Sequence, residues 1–154
     1  MTSTVSNVPN RATRSGPRRL GYLIAAVING AMLYAVNVWP GWAVLPFLTE
    51  ETPLILDLVN LSLVAGVIIN LINLVLDLAP VKALGDLILL GIGLAVLVRV
   101  WQVFPFDFAE SGFDWALLVR AILAVAFFGS IIGIIAQLVI LIRSLSGGTS
   151  NERP

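Results

Sequence analysis

Residues 54–76 read LILDLVNLSLVAGVIINLINLVL, with Asp57 the one charge among them. Hydrocarbon offers no partner to a backbone N–H or C=O, so a chain crosses a bilayer as helices of about 20 mostly apolar residues. This stretch has that length and character and is read as a spanning helix. Three more pass the same test: 20–38, 83–103 and 115–142. The last is long enough to tilt or to emerge from the membrane. Thr52 ahead of Pro53 reads as a cap followed by the first helical residue. Pro80 opens the third helix, Asp114 is placed to cap the fourth, and Gly147 with Gly148 ends it. The expected fold is an all-α membrane protein, four transmembrane helices in an antiparallel bundle with short connections. Residues 18–145 form that domain, flanked by disordered cytoplasmic tails over 1–17 and 146–154, which are rich in small and polar residues.

Composition agrees and removes whole classes of chemistry. Of 154 residues, 58% are hydrophobic and 12% charged, a mix that could not cover a soluble globule. Net charge is zero and the cations sit near the ends of apolar runs, so no basic face is offered to nucleic acid. Cysteine and histidine are both absent, which excludes disulfides, thiolate nucleophiles, imidazole bases and the commonest transition-metal ligands. No phosphate-binding glycine loop, no serine with a credible base and no catalytically spaced carboxylate pair is present. The acids of the outer loops lack the dense oxygen spacing of a calcium loop. No enzyme site, metal or cofactor is expected.

The cations set the orientation. Arg11, Arg14, Arg18 and Arg19 precede the first span, Lys82 lies in the second connection, and Arg143 follows the last span. All fall on one side. The connections on the other side, 39–53 and 104–114, have no Lys or Arg but hold Glu50, Glu51, Asp107, Glu110 and Asp114. Both termini are therefore expected inside. Trp39, Trp42, Trp101 and Trp115, with Phe104, Phe106, Phe108 and Phe113, gather at the outer boundary, the depth amphipathic rings favour. The 39–53 loop is expected to lie along that interface. Arg18 and Arg19 ahead of an apolar run resemble a twin-arginine export signal, but Gly21 breaks the pattern and no A-x-A site follows. The run is read as a retained first helix. Eight arginines to one lysine, with abundant Ala, Val and Gly, fit a GC-rich bacterial genome and hence a bacterial inner (plasma) membrane.

Within the spans, close-packing small residues and amides guide association. Ala26, Asn29, Gly30 and Asn37 share a face of the first helix; Ser62, Gly66, Asn70, Asn73 and Asp77 share one on the second. Gly91, Ala95, Arg99 and Gln102 follow on the third, and Gly129, Gly133 and Gln137 on the fourth. These stripes are read first as interhelical packing and second as a polar path or solute site. A separate layer of Asp57, Arg99 and Arg120 lies near the outer leaflet. Intramembrane charges are costly and are functional candidates. The favoured reading has both arginines snorkelling to headgroups while Asp57 stays near the capped start of its helix, with an interior ion pair as the second reading and a functional ion or ligand site as the third. Asp57 lies opposite the Asn70–Asn73–Asp77 face, so one helix cannot aim both at a single axis. Asp77, Lys82 and Asp86 flank the inner turn around Pro80 and read as a solvated hairpin tip, in which Lys82 and Asp86, four apart, can pair in the poorer orientation.

Four spans are shared with small multidrug exporters, but their first helix carries a glutamate where this one has no carboxylate, and the likeness stops at the span count. The leading function is a non-enzymatic accessory, scaffold or regulatory subunit, with the lipid bilayer and other membrane proteins or further copies of itself as partners. The alternative is a small transporter or channel.

Overall fold

The computed structural model describes residues 15–108 and 112–146, and these form four long helices. They are α1 (Ser15–Asn37), α2 (Pro53–Leu76), α3 (Ala79–Val103) and α4 (Trp115–Ser146), with a 3-10 turn at Trp42–Val44. Each is long and apolar enough to cross a membrane. At 1.5 Å per residue, α1 to α3 match about 30 Å of hydrocarbon with a turn or so to spare. α4, at 32 residues, exceeds it and must tilt or project.

Helix ends depart from span ends where hydropathy and helical geometry part company. α1 starts at Ser15, so residues 15–17 of the expected tail belong to its first turn, where a proline is tolerated. Ser146, the first residue of the other expected tail, is likewise the last of α4, whereas Arg11, Arg14, Gly147, Gly148 and the rest of 1–14 and 147–154 lie outside the described residues. α3 starts at Ala79, a turn before the apolar span, with Pro80 in that first turn as expected. Thr52, in contrast to the sequence expectation, is not a side-chain cap. Its backbone is already helical, and its hydroxyl donates to the Thr49 carbonyl oxygen at 2.7 Å. Asp114 does cap α4, accepting from the Leu117 amide at 2.9 Å.

Helices α1 and α2, α2 and α3, and α3 and α4 run antiparallel and pack in that order; among the described residues no other pair shares an extensive contact. The all-α bundle is thus open along one side. The surface of the spans is largely apolar, with Val27, Val75, Val125 and Ile132 each more than 60% exposed. Among the described residues, buried apolar side chains are few and mostly small to medium: Ala26, Ile55, Leu63, Ala83 and Pro105. An apolar exterior around a slim interior is the arrangement lipid selects and water rejects. The chain is a small multi-pass integral membrane protein in contact with the bilayer.

Candidate functional site

Glycine and asparagine build the seams. An added Cβ at Gly66 of α2 would lie 2.7 Å from Asn29 Oδ1 of α1, so the amide rests directly on the glycine. Asn29 donates its own Nδ2 to the Ala25 carbonyl at 2.8 Å. Further along this seam, Asn37 and Asn60 exchange two amide hydrogen bonds of 2.8 and 2.9 Å. Asn60 lies outside the stripes read from sequence. It could have been found by holding α1 and α2 in fixed antiparallel register, since Arg18–Asp77, Asn29–Gly66 and Asn37–Asn60 have nearly constant residue-number sums.

Between α2 and α3 the tight approach is at Gly85, where a Cβ would meet Ile69 at 2.6 Å and Asn73 at 3.9 Å. Asn73 is 2% exposed and its Oδ1 has no partner among the described residues. Asn70 turns back to the Gly66 carbonyl at 2.8 Å. Between α3 and α4, Gly133 faces Leu90, whose methyl carbon would stand 3.2 Å from a Cβ added to the glycine, and Gln137 donates to Asp86 at 3.0 Å. Gly129 is exposed, and a Cβ there would meet nothing within 4 Å, so it takes no part in that seam. Gly91 is likewise open, and Gln102 is exposed. The asparagines and close-packed glycines of the spans are therefore distributed one seam at a time.

The charges separate into two groups. At one end Arg99 of α3 points its Nε toward the Leu54 carbonyl at 3.4 Å, a long contact. Arg120 of α4 lies over the Phe104 ring at 4.4 Å and near Trp101 at 5.8 Å. Aromatic faces attract a guanidinium electrostatically. Asp57 is exposed and forms an ion pair with neither arginine. The three share a level, but the structure does not join them. Glu110 lies outside the described residues.

Around these arginines the two connections interlock, which sequence reasoning missed. Thr49 N–H donates to Pro105 O at 3.2 Å, and Asp107 N–H to Phe47 O at 2.9 Å. Leu48 and Phe106 form an antiparallel bridge, and the Phe108 ring stacks with Phe47 and Phe106. The signal was the alternation in FPFDF, 104–108, a strand-like period of two.

The opposite end holds the densest polar cluster. α2 stops at Asp77, whose φ of 41° is left-handed and whose amide donates to Asn73 O at 3.0 Å. Only Leu78 then separates it from α3. This hairpin brings Asp77 to Arg18 at 3.6 Å, with side-chain exposures of 13% and 63%. Lys82 pairs with Asp86 one turn along α3, and Gln137 of α4 reaches the same carboxylate oxygen. Helices α1, α3 and α4 and the turn that ends α2 thus contribute to a cavity of about 250 Å³ lined by Arg18, Tyr22, Asp77, Lys82, Asp86 and Gln137, among others. Asp77, Lys82 and Asp86 are therefore more than the solvated hairpin tip that the sequence suggests. The difference comes from Arg18 and Gln137, neither of which is near them in the chain. No protein-family model matches the sequence, and comparisons with curated proteins and with solved structures find no match.

Proposed function

We propose that the protein is a non-enzymatic accessory, scaffold or regulatory subunit of a membrane complex, resident in a bacterial inner membrane with both ends cytoplasmic. The observation that carries this reading is the division of labour between faces. Asn29, Asn37, Asn60, Gly66, Gly85 and Gly133 are used at seams between the chain's own helices, while α1 and α4 each pack against one neighbour and keep long apolar faces outward. Such faces suit lateral association with other membrane proteins or with further copies of the chain. The lack of histidine and cysteine, and the engagement of Asp77 and Asp86 by cations, favour a binding role over catalysis. Nothing in the charge pattern favours a nucleic-acid partner.

Gentle solubilisation of the full-length protein from its native membrane, followed by identification of stoichiometric companions, tests the proposal. A defined complex is expected. Recovery of the chain alone, together with increased ion or solute permeability of liposomes containing it, would instead favour the second reading, a small transporter or channel. That reading draws on the groove between α2 and α4 lined by Ser62, Asp86, Ser130 and Gln137.

A further inference from the structure

Because α2 and α4 do not pack on each other, a groove of about 560 Å³ runs between them over α3. Its floor includes Leu90, Gly93 and Leu97. At Gly93 an added Cβ would find no atom within 4 Å, so the glycine deepens the groove. Ser62 and Ser130 line it too, yet each hydroxyl donates to its own helix, to Val59 O at 2.9 Å and Ala126 O at 2.8 Å. The hydroxyl donors are thus engaged within the protein, and the groove behaves toward its contents as an apolar channel open to the side. Asp86 and Gln137 line both this groove and the 250 Å³ polar cavity, so the two spaces meet there.

We propose that groove and cavity together bind one zwitterionic phospholipid whose headgroup bears a primary ammonium. An acyl chain lies along Leu90, Gly93 and Leu97, and the headgroup enters the cavity. The charges there select the headgroup. Two cations, Arg18 and Lys82, face two carboxylates, Asp77 and Asp86. A phosphate complements the cations and an ammonium the carboxylates, and because Arg18–Asp77 and Lys82–Asp86 sum to zero, a headgroup of zero net charge leaves the occupied site neutral. An anionic headgroup would satisfy the cations but leave the carboxylates facing negative charge. A quaternary choline has no N–H to donate to Asp86 or Asp77. Depth agrees as well, since Arg18 and Lys82 each stand in the first turn of their helices, where a spanning bundle meets the headgroup layer. Both side chains are substantially exposed, 63% and 45%, so each can swing from its carboxylate to a phosphate while its stem stays in place.

The test uses delipidated full-length protein in detergent. Retained lipid is measured by native mass spectrometry against phosphatidylethanolamine, phosphatidylglycerol and phosphatidylcholine of matched chains. Phosphatidylethanolamine should be retained over both others by about tenfold, the ratio one charge-assisted contact supplies. Gly93→Leu, which fills open space and should fold, is expected to remove most of that retention without lowering lipid-free thermal stability. Asp86→Asn should shift the preference toward phosphatidylglycerol. Equal retention of the three lipids by the unmodified protein, preference for the anionic lipid, or unchanged retention in Gly93→Leu would each overturn the proposal.

Discussion

Single residues decide how closely these helices approach. Gly66 has Asn29 against it, with no room for a methyl group, whereas Gly91 faces open space. Gly66→Ala should therefore destabilise the detergent-solubilised protein by about 1–3 kcal/mol, as overpacking does. Gly91→Ala should be neutral or stabilising by up to about 1 kcal/mol through helix propensity. Denaturant titration followed by circular dichroism reads both. Trimming Asn29 to Ala in the Gly66→Ala background should recover part of the loss, and failure to do so would place the strain elsewhere. The same logic applies to the arginine level. With Arg99 directed to a backbone carbonyl and Arg120 on aromatic rings, Asp57 has no cationic partner to lose among the described residues. Asp57→Asn should cost little, and its effect should add to that of Arg99→Gln or Arg120→Gln within about 0.3–0.5 kcal/mol. A double variant clearly more stable than Asp57→Asn alone would reveal an interior ion pair.

At the scale of elements, the spans were legible because the bilayer imposes length and apolarity on each helix separately. Residues 54–76 announce α2 without reference to any other segment. Which face of each helix meets which neighbour depends on relative rotation, and that is why Asn60 escaped notice and Gly129 was grouped with Gly133. The connections were less legible still, since the pairing of Thr49 with Pro105 joins segments more than 50 residues apart in sequence. That interlock bridges the α1–α2 and α3–α4 hairpins at the Trp39 end, where otherwise only α2 and α3 hold them together. Thr49→Pro removes the donor to Pro105. Amide exchange should then accelerate at Asp107, whose bond to Phe47 belongs to the same bridge, while protection at the far end of α2 and α3 stays unchanged. Uniform acceleration along both helices would mean that the interlock supports the whole fold and not only its own end.

For the whole molecule, the antiparallel order of the helices gathers Arg18, Arg19, Lys82 and Arg143 at one end and Glu50, Glu51, Asp107 and Asp114 at the other. Helical geometry alone produces this segregation of ends; the membrane gives it a direction. Cations flanking spans resist translocation, so the Lys82 end should remain cytoplasmic, and the acidic, tryptophan-rich end should face outward. Arg99 and Arg120 do not oppose this, because they lie inside α3 and α4, one against a carbonyl and one on aromatic faces, and are not loop charges. The chain has no cysteine, so single replacements report without background. Glu50→Cys and Gly112→Cys should react with a membrane-impermeant maleimide on intact cells, whereas Ser3→Cys and Ser150→Cys should react only after permeabilisation. The reverse pattern would show that the charge asymmetry does not orient this protein. Reaction at one terminus but not the other would mean that one of the four helices fails to cross, and α4, whose 32 residues exceed the hydrocarbon thickness, would be the first whose path to re-examine.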